Sequence, residues 1–162
     1  DYYSGRFDRA VVQYRRTIDL DAYFYPTHWY LGLALAQCGR LDEAADALAE
    51  AERLSDRSTA VVAAIGMVHA ATNEAERARK VLDELTRLSD IRYVSQVFVA
   101  AILIRSGDLD GALERLEQAF DDQCPWLLFS MVDPKLAPLR SHLRFHRLLQ
   151  RLGLGSAAAS RP

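Results

Sequence analysis

The chain has 162 residues, of which 50% are apolar and 26% charged, and its formal net charge is −2. This composition predicts a folded domain, and the mixed charges argue against electrostatic binding of the whole domain to nucleic acid or anionic lipid. No apolar run reaches the roughly 18 residues of a membrane span, no signal peptide is evident, and the two cysteines form no disulfide or zinc pattern. We therefore expect a cytoplasmic protein and, because the sequence begins with Asp1, a piece of a longer one.

The first predicted helix lies in a ten-residue pattern that returns along the chain. The stretches beginning at Gly5, Gly39 and Gly107 read GRFDRAVVQY, GRLDEAADAL and GDLDGALERL, and Asn73 begins a fourth, NEAERARKVL. The spacing is 34 residues or twice that, and a sustained period of this length indicates a repeat architecture. The positions that stay in register include Ala10, Ala44, Ala78 and Ala112; Asp8, Asp42, Glu76 and Asp110; Tyr14, Leu48, Leu82 and Leu116; and Gly32, Gly66 and Ala100.

The repeat predicts pairs of helices joined by short turns. Alanine and glycine in the small positions let two helices approach closely, the turn glycines and Asn73 tolerate the left-handed conformation that ends a helix, and the acidic position favours a helix start. First helices are expected at 26–38, 59–72 and 93–106, and second helices at 8–21, 42–54, 76–88 and 110–121. The corresponding units are 1–24, which has only its second helix, 25–58, 59–92 and 93–122.

The register ends after Phe120, and prolines interrupt the tail that follows. We expect a capping segment over 123–154, because the last unit of a repeat array must cover its apolar face. It should contain a short helix near 126–131, a turn at Asp133-Pro134 and a final helix near 141–152 that ends at Gly153. Residues 155–162 are predicted to be disordered.

The pattern resembles the tetratricopeptide repeat (TPR), which has this period and this order of helix, turn and helix. The core positions of that family correspond here to Leu31, Gly32, Leu35, Ala44, Leu48 and Ala51 in one unit, with similar residues in the next two. The family often has tryptophan or leucine where this chain has His28 and Val62. The resemblance implies an all-α fold, a right-handed superhelical solenoid of antiparallel helix pairs with about 3.5 repeats, closed by a helical cap.

The resemblance also implies a concave groove lined by the first helices. Because most of the residues at its positions are apolar, an amphipathic helix or an apolar peptide is the expected partner. The family's carboxylate clamp requires several polar and cationic residues at these positions. Arg105 is the only cationic residue among them, so no clamp is predicted. Two alternatives stay open: another part of the protein fills the groove, or small side chains close it. The groove positions are Trp29, Leu33, Gln37, Ala63, Met67, Ala70, Val97, Ala101 and Arg105.

Three other features are candidate surfaces. The aromatic stretch AYFYPTHWY at 22–30 is either a binding hot spot or packing for a first helix that the first unit lacks. Without that helix, the face of helix 8–21 that carries Val11, Tyr14 and Ile18 should be exposed, which suggests a homodimer. Four arginines on the last helix form either a contact for phosphate or an acidic partner, or a solvated face: Arg140, Arg144, Arg147 and Arg151.

Residues for chemistry are sparse. His142 and His146 have the spacing of two metal ligands on one helix face, but no third ligand lies nearby in the sequence, and two half-exposed histidines are the simpler interpretation. We expect no cofactor, no metal, no direct nucleic-acid contact, no membrane contact and no catalysis.

The favoured hypothesis is a non-catalytic protein-interaction or scaffold module. The tail resembles those that follow such repeats in multidomain bacterial regulators, where winged-helix, nucleotide-cyclase or kinase domains are attached. The alternative is therefore an intramolecular sensor, in which a small ligand or the protein's own chain controls an attached domain.

Overall fold

A computed structural model describes residues 1–154, so the prediction of disorder for 155–162 lies outside the described residues. The described residues form α-helices and 3₁₀ helices and contain no strand, which confirms the all-α fold class. They divide into two compact units, one over 1–94 and one that begins at Ser95.

The first unit holds five α-helices in chain order. They are α1 (Phe7–Leu20), α2 (Tyr25–Gln37), α3 (Leu41–Leu54), α4 (Thr59–Ala71) and α5 (Ala75–Leu88), preceded by a 3₁₀ helix at Tyr2–Ser4. α2 packs on α3 and α4 packs on α5 as helical hairpins, while α1 packs on α2 and α3 on α4. Successive helix pairs thus pack against each other, as a helical repeat requires.

The turns inside the helix pairs have the same hydrogen bonds. Gly39, Asn73 and Gly107 all have positive φ angles, of 75°, 60° and 84°. The backbone N–H of the residue after each donates to a carbonyl five residues earlier, at 3.0, 2.9 and 2.9 Å. This is the Schellman arrangement, which satisfies free carbonyls at a helix end. The predicted role of the two glycines, and of asparagine as their substitute, is confirmed.

The acidic position of the repeat supports the helix starts through the helix dipole. Asp8, Asp42, Glu76 and Asp110 all lie in the first turn of a second helix, where a negative charge favours the helix dipole. None of them is an N-cap. Of these four helices, only the one at Leu109–Asp121 has a side-chain cap: the carboxylate of Asp108 accepts from the N–H of Gly111 at 2.9 Å.

Close approach within a helix pair depends on Gly32 of α2. A Cβ at this position would lie 2.6 Å from Cγ of Leu48 and 3.2 Å from the carbonyl oxygen of Ala44, both in α3. Any larger residue therefore forces the Leu48 side chain or the α3 backbone to shift.

This contact gives a first prediction. Gly32→Val should lower the free energy of unfolding by about 1–3 kcal/mol, although valine forms helices better than glycine, because overpacking outweighs propensity. Urea denaturation measures it, with Ala45→Val as the control, since Ala45 is exposed on α3. Equal stability of Gly32→Val and the wild type would contradict the close packing.

The second unit holds one helix pair and the tail. Its elements are α6 (Gln96–Arg105), α7 (Leu109–Asp121), 3₁₀ helices at Pro125–Phe129 and Pro134–Ser141, and α8 (Leu143–Arg151). α7 contacts α8, and the 3₁₀ helix at Pro134–Ser141 contacts both α6 and α8. The tail residues that enter the same core as α6 and α7 include Leu127, Leu136, Leu139, Phe145 and Leu148.

The tail differs from the prediction in its local form. The helix expected near 126–131 is a 3₁₀ helix over 125–129. The turn expected at Asp133-Pro134 is instead the start of a 3₁₀ helix that accommodates Pro138. The three prolines prevent regular α-helical hydrogen bonding, and 3₁₀ turns tolerate them better. The final helix ends near Gly153 as predicted, with a φ of 73°.

Candidate functional site

The predicted groove residues lie on the first helices of the pairs. α2 and α4 carry six of them and contact each other within the first unit, while the three on α6 belong to the second unit. The structure buries most of these side chains and leaves only Gln37 half-buried and Arg105 exposed. The buried ones are Trp29, Leu33, Ala63, Met67, Ala70, Val97 and Ala101.

This burial limits what the predicted groove offers to a partner. Apolar association gains free energy in proportion to the apolar area removed from water, and a side chain that is already buried contributes little. Met67, the residue expected to adapt to a partner, is 4% exposed. Binding at these positions stays a prediction, and it has little accessible apolar surface to draw on within either unit.

Gln37 is the polar member of the set on α2. Its side-chain nitrogen Nε2 is buried and has no hydrogen-bond partner among residues 1–154. A buried amide donor without an acceptor is costly, so a hydrogen-bond acceptor supplied from outside would be stabilising at the end of α2.

The aromatic stretch divides into a packed part and an exposed part. The ring of Trp29 contacts that of Tyr30 at a centroid distance of 4.6 Å, and Tyr30 stacks on Tyr14 of α1 at 5.8 Å. Tyr23 and Phe24 are instead exposed, with 79% and 54% of their surface accessible. Leu20, at the end of α1, is 89% exposed. We call Leu20, Tyr23 and Phe24 the 20–24 edge.

The expected exposure of the α1 face is wrong. Val11 is buried, and Tyr14 and Ile18 are half-buried, because α1 packs on α2 even without a preceding first helix. The ring of Tyr2, in the short 3₁₀ helix, adds contacts with Phe7 and Tyr30. The α1 face therefore gives little support to a homodimer. The homodimer itself stays an untested prediction.

The four arginines of the tail do not form one free cationic stripe. Arg144 is held by Glu117 of α7, with Nη2 2.8 Å from Oε2, and Arg151 lies 3.6 Å from Asp121 and over the ring of Phe120. This hydrogen bond from Arg144 to Glu117 raises the pKa of Arg144 above its ordinary value. Two of the four thus fasten α8 to α7.

The other two arginines differ from this pair. Arg147 is exposed on α8, and Arg140 donates to the carbonyl oxygen of Asp133 at 3.4 Å. In the part of the chain that the structure describes, neither is ion-paired with a carboxylate.

A buried ion pair in the tail is a feature that the sequence reasoning missed. Nζ of Lys135 lies 2.8 Å from Oδ2 of Asp133, and both side chains are almost fully buried. Oδ1 of Asp133 also accepts from the backbone N–H of Lys135 at 3.0 Å. An Asp-Pro pair is a recognisable start for a short helix, but nothing in the sequence indicates that the lysine two residues later is buried.

The structure of residues 1–154 also bears on metal binding and on membrane insertion. No three or more His, Cys, Asp or Glu side chains are grouped so that they could hold a metal ion, His142 and His146 included. Among the described helices, none has both the length and the apolar character needed to cross a membrane.

Comparison with known proteins gives one distant similarity. No protein-family model matches the sequence. The chain is similar to anaphase-promoting complex subunit 3 of Schizosaccharomyces pombe, with 23% identity over 112 residues. The alignment covers 69% of this chain and 17% of that protein, so this chain matches about a sixth of its relative's length. The helix pairs and this similarity fit a TPR-like protein.

Proposed function

We propose that the chain is a non-catalytic protein-interaction module. Two observations support this: the architecture of packed helix pairs, and the similarity to a protein named as a subunit of a multiprotein complex. The main support for the proposal is the 20–24 edge, where three large apolar side chains within five residues are exposed. Aromatic residues of this kind dominate the binding energy of many interfaces.

The backbone of the 20–24 edge is fixed at both ends. Asp21 has an extended backbone, and its carboxylate oxygen Oδ1 accepts from the N–H of Tyr23 at 3.0 Å. Phe24 is the N-cap residue of α2, and its backbone carbonyl oxygen accepts from the N–H of Thr27 at 3.1 Å. Because the segment between α1 and α2 is short and hydrogen-bonded, its backbone needs little ordering when a partner contacts these rings.

The same position in the next unit has different chemistry. Arg57 stands 34 residues after Tyr23, and its guanidinium lies 2.9 Å from Glu52 and 2.6 Å from Glu84. The aromatic pair is therefore not a general requirement of the repeat, although the connection after α5 also exposes apolar side chains, those of Ile91 and Tyr93. This supports a role in contacting another protein.

We infer a finer role from the sequence of the tail. Its resemblance to tails in multidomain bacterial regulators supports a cytoplasmic regulator in which this chain recruits a protein or a peptide with an apolar or amphipathic face. The predicted groove positions of each unit would give further contacts, with Gln37 half-buried in the first unit and Arg105 exposed in the second.

Affinity capture tests the interaction surface. We expect the wild-type chain to retain a specific protein from a lysate, and Tyr23→Ser/Phe24→Ser to lose it by about tenfold or more, as for a hot-spot pair. Val12→Ser is the control, because Val12 is 50% exposed on the outer face of α1 and lies apart from the edge in the sequence.

The outcomes separate the parts of the proposal. Loss in the double variant with retention in Val12→Ser supports the edge. Retention of the same partner by the double variant would show that the edge is not the contact. The absence of any specific partner of the wild type would contradict the interaction function itself.

The alternative function is a sensor whose small ligand controls an attached domain. One observation favours it, namely a cavity in the second unit, between the 3₁₀ helix at Pro134–Ser141 and α8. A sequence upstream of residue 1 that encodes a DNA-binding, cyclase or kinase domain would support this role.

A further inference from the structure

The second unit contains a cavity of about 220 Å³ with an apolar floor. Phe145 and Leu149 of α8 form this floor, and both are buried in the core of the unit. Met131 and Leu154, both half-buried, complete the apolar wall. Because the floor is part of the packed core, the cavity exists before any ligand arrives.

The rim of the cavity is polar, and none of the lining residues that the structure describes is acidic. Arg140, near the end of the 3₁₀ helix at Pro134–Ser141, lines the rim. His146 and Gln150, one turn apart on α8, line it as well. All three side chains are exposed. The rim therefore offers hydrogen-bond donors around an apolar interior.

Arg140 differs from the tail arginines that hold α8 to α7. Arg144 and Arg151 are paired with carboxylates, whereas the contact that Arg140 makes within residues 1–154 is one long bond, 3.4 Å, to the carbonyl oxygen of Asp133. A guanidinium has five N–H donors and binds a carboxylate with two of them side by side. Most N–H donors of Arg140 are therefore available to a ligand at the mouth of the apolar cavity.

We propose that this cavity binds a small carboxylate with an apolar body, such as a medium-chain or aryl acid. The carboxylate contacts Arg140, assisted by His146 or Gln150, and the apolar body lies on Phe145 and Leu149. The volume falls below the roughly 300–1,000 Å³ of drug-sized sites, which restricts the ligand to about ten non-hydrogen atoms. The proposal gives the small-ligand alternative a chemical class and does not depend on the 20–24 edge.

NMR titration of the whole chain with sodium octanoate tests the site. We expect saturable shifts confined to residues around the cavity, and binding at least about tenfold weaker for 1-octanol, which has the same chain and no charge. Arg140→Gln should weaken octanoate binding by a similar factor, Arg140→Lys should restore part of it, and Arg147→Gln should leave it unchanged. The melting temperatures of the variants check that each one folds.

Each outcome decides the proposal. Equal binding of octanoate and 1-octanol, or equal weakening by Arg140→Gln and Arg147→Gln, would overturn it, as would the absence of saturable binding by any carboxylate. A peptide with a C-terminal leucine carboxylate distinguishes the two sources of this chemistry. Tighter binding of octanoate assigns the cavity to a free acid, and tighter binding of the peptide assigns it to the C terminus of another protein.

Discussion

Replacement of Asp133 by asparagine should destabilise the second unit by about 3–5 kcal/mol, since it removes one partner of a buried ion pair. Lys135 is 4% exposed and its ammonium lies 2.8 Å from the Asp133 carboxylate. Asparagine keeps an oxygen that accepts from the backbone N–H of residue 135, so the start of the 3₁₀ helix is retained while the compensating charge is lost.

The same variant should become more stable as the pH rises. Burial lowers the pKa of the Lys135 ammonium below its ordinary value, and the Asp133 carboxylate opposes that shift. Without the carboxylate the pKa falls further, so between the folded pKa and the ordinary lysine value the unfolded chain binds more protons than the folded one. Stability rises with pH in that window, and the deficit of Asp133→Asn should shrink between pH 7 and about pH 10.

Urea denaturation at several pH values measures both effects. The control is the double variant Asp133→Asn/Lys135→Met, which removes the buried charge as well and should recover most of the lost stability. A loss below about 1 kcal/mol in Asp133→Asn at pH 7, or a deficit that does not change with pH, would contradict the buried pair.

The second large effect concerns two predicted groove residues on α6. Ala101→Glu should destabilise the chain by about 3 kcal/mol or more, because Ala101 is fully buried and a carboxylate there loses its hydration without a partner. Arg105→Glu, one turn later and exposed, should change the free energy of unfolding by at most about 1 kcal/mol through the helix dipole.

Thermal denaturation followed by circular dichroism compares the two variants directly. If Ala101→Glu melted like the wild type, this position would be open to solvent and a groove there would regain its support. Equal losses in both variants would indicate a general sensitivity of α6 to negative charge rather than burial.

The helix pairs were predictable because the period fixes them. The bounds of α1, α3, α5 and α7 lie within about one residue of the prediction, since the turn residues and the alanine position recur every 34 residues. α6 begins at Gln96, later than the expected residue 93. Val94 and Ser95 are buried outside the helix, and the hydroxyl of Ser95 lies 3.4 Å from the sulfur of Cys124.

The candidate sites were less predictable because burial depends on distances between helices. The residue types at Leu33, Met67 and Ala101 indicate a face, but whether that face is open is decided by the packing of its neighbours. Exposure of Tyr23 and Phe24 likewise follows from the short connection between α1 and α2. The same stretch of sequence supplied both packed and exposed aromatics, and composition does not separate them.

Amide hydrogen exchange with and without the captured partner tests the interaction account most directly. The account predicts that binding slows exchange at residues 20–24 and at the start of α2, while exchange in α3 stays unchanged. Protection confined to other segments, with no change at 20–24, would contradict it.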